Sequence, residues 1–149
     1  ENGPHLPGYL REHAPAPWVA ELADLEWWEW QTYCAVDDPA DANDEGALRL
    51  TSTAELRSYG HALTEFLEDE AEAPPEAPDA GDELVLFFRD REGRLVREVP
   101  EPLTLVVLKI VGEGLSVEEI APQVGVAAEV LRAALAEEHA RGLLRGTLS

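Results

Sequence analysis

The 149-residue sequence has one cysteine, Cys34, and no methionine. A single thiol cannot build a disulfide framework and points to a reducing compartment, the cytoplasm. With Glu1 in first place and no methionine anywhere, the chain reads as one that lacks its natural start. Basic side chains are scarce: 11 Lys and Arg against 31 Asp and Glu give a formal net charge of −20. A duplex binder displaces counterions with clustered Lys and Arg, so non-specific DNA affinity is expected to be poor. No apolar run is long enough to span a bilayer, and the sequence contains no signal peptide. A glycine-rich phosphate loop and a Ser/His/Asp constellation are both missing. His5, His13, His61 and His139 are scattered, and no pair has metal-ligand spacing, so no metal site is expected. Glu26 and Glu29 lie among the aromatics of Trp27 to Trp30, and neither has an identifiable catalytic partner. The chain is therefore read as non-catalytic, with no cofactor of its own.

What is present is an ordinary apolar content, 45%, and a lopsided charge. Residues 1–83 carry 3 basic and 21 acidic side chains, whereas residues 84–149 carry 8 and 10. The acidic load sits on the first half. Such a surface favours solubility, a basic partner or a high-salt habitat.

Residues 1–17, with Pro4, Pro7, Pro15 and Pro17, read as an irregular lead-in with one helical turn around Gly8–Arg11. Pro17 suits the first turn of a helix running to about Cys34. Its apolar positions, Trp18 to Tyr33, cover more than one face, so it is either sandwiched between two bodies or presents aromatics to a partner. Asp37–Glu45 is an acidic turn. Ala47 to about Tyr59 reads as one long strand, bulged in the middle, followed by a short helix around Ala62–Glu70. Residues 68–82 form an acidic, proline-rich linker. Leu84–Phe88 and Arg94–Val99 are two strands joined by a turn in which Gly93 takes positive φ. Pro102 and Gly112-Glu-Gly114 frame a helix over Leu103–Val111, although β-branched residues crowd it. Ser116-Val-Glu-Glu119 is a capping box for the next helix, and Ala127–Arg141 is the last, stopped by Gly142.

The fold class is thus α+β: a helical N-terminal segment over residues 1–36, then residues 46–149 as a three-stranded antiparallel sheet with a three-helix winged helix-turn-helix unit. In DNA readers of that kind the second helix meets base edges with polar or basic residues. Here its start is Ala127-Ala128-Glu129, and Arg132 alone is placed to reach a phosphate. The same framework can instead bind a peptide, which adds a strand to a free sheet edge and sets side chains beside the last helix. The candidate edge is Arg94, Leu95, Val96, Arg97, Glu98 and Val99. The candidate groove residues are Val130, Leu131, Ala134 and Leu135, each of which could equally be core. Arg89, Arg91, Arg94, Arg97 and Arg132 form the one basic cluster; it would suit an acidic peptide, or simply be a solvated hairpin that blunts edge pairing. Trp27, Trp28, Trp30 and Tyr33 are the candidate partner interface, since tryptophan is enriched at interface hot spots, with an inter-domain core as the alternative.

Tyr9-Leu-Arg-Glu-His13, Trp18-Val-Ala-Glu-Leu-Ala-Asp-Leu-Glu-Trp27, Leu48-Arg-Leu50 and Leu56-Arg-Ser-Tyr59 resemble the HvfC/BufC and MbnC-type family, labelled as a DNA-binding domain. The resemblance covers nearly the whole chain and begins late, at the last helices of the N-terminal helical domain that such proteins carry. The C-terminal part is similar to the peptide-binding winged helix called a RiPP recognition element. The resemblance implies an accessory subunit that binds the leader of a ribosomally made precursor peptide. It further implies a partner, a TIM-barrel oxidase holding two or three iron ions, which carries out the chemistry on the peptide's cysteines. The alternative is a winged-helix transcriptional regulator.

Overall fold

The computed structural model describes residues 6–13, 16–68 and 76–148. Val85, Leu86, Phe87 and Phe88 are consecutive and all fully buried. Successive side chains of a strand point to opposite faces, so a strand buried at every position must be covered on both sides. They lie on β3 (Ala80–Arg89), the middle strand of an antiparallel sheet ordered β2-β3-β4, between β2 (Glu55–His61) and β4 (Leu95–Glu98). On one face Val85 and Phe87 pack with Tyr59, with Leu25 of α2 (Pro17–Cys34) and with Leu63 of α3 (Leu63–Glu68). On the other face Leu86 and Phe88 pack against α4 (Pro102–Glu113), α5 (Val117–Val124) and α6 (Ala128–Arg141), through Val107, Ile110, Ile120 and Leu131. Each such side chain contributes roughly 1.5–3 kcal/mol by leaving water. The architecture is mixed α and β, with six helices and a three-stranded antiparallel sheet among the described residues.

Local signals set most of these elements. Pro17 opens α2, and Pro102 opens α4. Gly114 closes α4 and Gly125 closes α5, both in the left-handed conformation that glycine adopts without penalty. The capping box holds: Ser116 Oγ accepts from the Glu119 N–H at 3.2 Å, and the Glu119 carboxylate accepts from the Ser116 N–H at 2.9 Å. Asp90 to Arg94 close the β3–β4 hairpin, with Gly93 at φ 78°. The first helix, α1 (Leu6–His13), is longer than the single turn expected around Gly8–Arg11. Of the expected linker over 68–82, residues 69–75 lie outside the described residues, and the last three positions already belong to β3, which begins at Ala80.

The expected long strand does not form. Ala47–Tyr59 is not a single bulged strand but two strands in different sheets, β1 (Arg49–Leu50) and β2. The break is a turn: the Ala54 N–H donates to the Thr51 carbonyl. Asp41, on the short 3-10 helix Pro39–Ala42, fixes that turn by accepting from the Thr51 hydroxyl at 2.9 Å and the Ser52 N–H at 2.8 Å. Burial pushes the Asp41 carboxyl up, but these donors outweigh it and leave it below its ordinary value. Strand β1 pairs with β5 (Leu144–Arg145), at the far end of the chain, a partner the local sequence does not announce.

The β5 exit depends on Gly146, at φ +97°. A Cβ there would lie 2.3 Å from the Ala47 carbonyl oxygen, which is backbone and has nowhere to go. Gly146→Ala is therefore expected to cost about 1–3 kcal/mol from the backbone conformation alone, with steric displacement in addition. A urea midpoint unchanged from the parent chain would contradict this.

Candidate functional site

Strand β4 has β3 as its one strand partner among the described residues, so its other edge carries no strand. The Asp90 N–H donates to the Arg94 carbonyl at 2.9 Å, and the register then pairs Arg89 with Leu95, Phe88 with Val96, Phe87 with Arg97 and Leu86 with Glu98. Hydrogen-bonded and non-bonded pairs alternate along an antiparallel ladder. Counting from the bonded 90–94 pair, Val96 and Glu98 bond inward to β3. Leu95 and Arg97 turn their main-chain groups to the open edge.

Beside this edge runs α6. Positions 130, 134, 137, 138 and 141 recur at helical spacing and share one stripe. Two cavities lie between strand and helix. One, of about 270 Å³, is bounded by Phe88, Arg94, Val96 and Ala140; the other, of about 200 Å³, by Glu98, Val99, Leu103, Ala134 and Glu137. Arg141 lines both. Its guanidinium donates to Glu98 at 2.5 Å and to Glu138 at 3.1 Å, and lies 5.5 Å from the Phe88 ring centroid. The Glu98 hydrogen bond, opposed by burial and supported by the Glu138 charge, holds the Arg141 pKa above its ordinary value. Glu138 is only 4% exposed and also accepts from the Thr104 hydroxyl at 2.6 Å, so this buried carboxylate is satisfied on both sides.

The expected groove residues divide. Ala134 lines the groove, and Val130, 45% exposed, sits one turn before it on the same stripe. Leu131 and Leu135 do not line it. Leu131 is fully buried and Leu135 nearly so, because the phase of α6 turns both into the core against α4. Val99 is exposed at the end of the strand. Arg141, Glu98 and Glu138 form the centre of the groove; of these, the sequence singles out Glu98 alone, as part of the edge.

The basic cluster is already spoken for. Arg89 donates to Asp37 at 2.7 Å and Arg91 to Asp44 at 2.9 Å. Arg94 pairs with Asp90 at 2.8 Å and with Glu92, and Arg132 pairs with Glu118. Arg97 reaches Glu29 of α2 at 3.1 Å. Arg89, Arg91 and Arg97 fasten the hairpin to other segments, Arg94 closes its tip and Arg132 ties α6 to α5, so none of the five is without a carboxylate partner.

On α2 the aromatics also divide. Trp30 and Tyr33 are 57% and 62% exposed, with ring centroids 6.1 Å apart, and Trp27 is half-buried. Trp28 faces the opposite way: it packs on the Val85–Phe87 core, with the Arg57 guanidinium 5.0 Å from its ring centroid. The inward side of α2 also carries Asp24, which sequence reasoning does not single out. Its buried carboxylate accepts from Arg57 at 3.1 Å, from the Tyr59 hydroxyl at 3.2 Å and from Arg11 at 3.4 Å. Burial, then the adjacent Asp24 charge, pushes the Tyr59 phenol well above its ordinary value. The alternation of Arg57 and Tyr59 on one strand was the available signal, since both side chains must face the same helix.

A third and larger cavity, of about 660 Å³, lies between the Asp37–Ala42 segment and the hairpin tip, with Thr51, Thr53, Arg89 and Arg145 on its walls. The Nε atoms of Arg89 and Arg145 are buried without a hydrogen-bond partner. Among the described residues no group of three or more His, Cys, Asp and Glu side chains converges as a metal site. Cys34 is exposed at the end of α2, and Glu26 is exposed on the same helix. No helix among the described residues is long and apolar enough to cross a membrane. In comparison with known proteins, no family model and no curated protein matches the chain.

Proposed function

We propose that this chain is a non-catalytic accessory subunit that binds the leader of a ribosomally synthesised precursor peptide and presents it to an iron-dependent oxidase. The observation that carries the reading is the β4 edge, which has no strand on it among the described residues, with the main-chain groups of Leu95 and Arg97 turned outward beside a groove against α6. An extended segment can add to such an edge through main-chain hydrogen bonds, while alternate side chains drop into the groove. In this reading β3, β4 and α4–α6 make up a winged helix-turn-helix unit of the RiPP recognition element kind. The resemblance of the α2 and β2 segments to the HvfC/BufC and MbnC-type family supplies the partner, a TIM-barrel multinuclear-iron oxidase, in a reducing cytoplasm. The iron and the oxidation belong to that partner. Trp30 and Tyr33 are the aromatics placed to meet it, because large exposed rings on a rigid helix are characteristic hot-spot residues.

The test is co-expression of the chain with a multinuclear-iron oxidase encoded in its genomic neighbourhood, followed by affinity purification and metal analysis. A stable iron-containing complex is the expected result, and replacing Trp30 and Tyr33 together by alanine should weaken it at least tenfold. A folded chain that recovers neither oxidase nor iron would overturn the reading.

The second reading is a winged-helix DNA-binding regulator. It is favoured by the tight α5–α6 connection around Gly125 and the capped start of α5. Against it stand the charge of −20 and the first turn of α6, which offers Ala128 and Glu129, with Arg132 bound to Glu118. Duplex affinity that falls steeply with salt would restore it.

A further inference from the structure

We infer that the segment docking along β4 carries a lysine or arginine whose side chain enters the cavity between Val99 and Glu137. This rests on the proposed peptide binding and gives its ligand a charge. The cavity, about 200 Å³, has the capacity of one long side chain. Its apolar walls are Val99, Leu103 and Ala134, which suit a methylene stem. Its polar rim is anionic. Glu138 and Glu98 are matched by Arg141, and Glu138 also by Thr104. Glu101 and Glu137 line the same cavity, and neither has a cationic partner within ion-pair distance among the described residues. Glu98 and Val99, at the end of β4, line this cavity, so a residue of a strand added along the same edge lies within reach of it.

The opposite charge finds no receptor here. The arginines of the hairpin, which a sequence reading offers to an acidic peptide, are each bound to a carboxylate of this chain. An acidic ligand would have to break an existing pair, whereas a basic one completes an incomplete one. Charge complementarity of this kind selects partners and fixes register.

The experiment selects random displayed dodecapeptides against the full chain. A recovered peptide is then measured by fluorescence anisotropy with the parent and with variants. The expected result is a Lys or Arg at one fixed position of the recovered sequences, and at least tenfold weaker binding when that residue becomes Glu. Glu101→Lys with Glu137→Lys should restore binding of the Glu peptide. Glu12→Gln with Glu65→Gln, two exposed carboxylates on other helices, should leave affinity within twofold, which separates the cavity from the general acidity of the chain. Recovered peptides with no fixed basic position, or with affinity indifferent to the charge swap, would overturn this inference and leave peptide binding standing. A folded chain that recovers no peptide would overturn both.

Discussion

Leu131→Asp is expected to abolish cooperative folding. Leu131 is fully buried on α6 and packs into the core with Leu86, Phe88, Val107 and Ile110. Truncating such a leucine costs about 2–5 kcal/mol. A carboxylate in its place adds several kcal/mol more, because it would be buried in an apolar cluster. The sum reaches the whole stability of an ordinary domain, about 5–15 kcal/mol. The neighbour supplies the contrast. Val130 is 45% exposed, and Val130→Asp puts an anion in the first turn of a helix, where the macrodipole favours it. That variant should unfold within about 1 kcal/mol of the parent chain. Urea denaturation followed by circular dichroism reads both. A cooperative Leu131→Asp transition near the parent midpoint would mean that α6 does not have the phase described.

Asp24→Ala is expected to destabilise the chain by about 3 kcal/mol, the typical cost of removing one partner from a buried ion pair. The carboxylate is nearly inaccessible, and its loss leaves the Tyr59 hydroxyl without its acceptor and the Arg57 guanidinium with Glu55 alone, at 3.5 Å. Discounting for the partial exposure of Arg57, a loss under about 1 kcal/mol would show that the network is solvated instead. Tyr59 gives the same site a pH signature. Its phenol titrates higher in the folded chain than the ordinary 10.0, so the unfolded chain ionises first. Its contribution is fully present below pH 10 and is lost as pH rises through the folded value. Stability should therefore fall in strong alkali, and Tyr59→Phe should flatten that fall while lowering stability at neutral pH. An alkaline slope identical in the two proteins would assign it to other groups.

Much of the local architecture was legible because it is set by neighbours in sequence. Pro17, Pro102, the Ser116–Glu119 box and Gly93 act within a turn of themselves, and the elements they mark lie where the sequence puts them. The split of Ala47–Tyr59 was not legible. Apolar alternation there suits either one strand or two, and the choice is made by Asp41 and by β5, neither of which is local. The groove was legible as an edge beside a helix but not in its lining. Valine, leucine and alanine crowd the first two turns of α6, so only tertiary packing separates Leu131 and Leu135, turned inward, from Val130 and Ala134. The hairpin arginines looked free because their carboxylates, Asp37, Asp44 and Glu29, come from distant segments.

The pairing of β2 with β3 has a consequence for how the chain can be divided. The ladder runs from Glu55↔Phe87 to Tyr59↔Glu83 and, past a register shift, to His61↔Ala80, and the connection between the two strands spans Ala62 to Asp79. A cut between residues 68 and 76 falls inside one sheet. The first fragment would keep Leu25, Tyr59 and Leu63, and the second Val85 and Phe87, which together make one core. The buried core of the other face, Leu86 to Leu144, stays whole in the second fragment, so the cut divides only the face toward α2 and α3. The first fragment is expected to dock through β2 onto the Val85 and Phe87 face that the second presents, and circular dichroism of the mixture against the sum of the parts would read it.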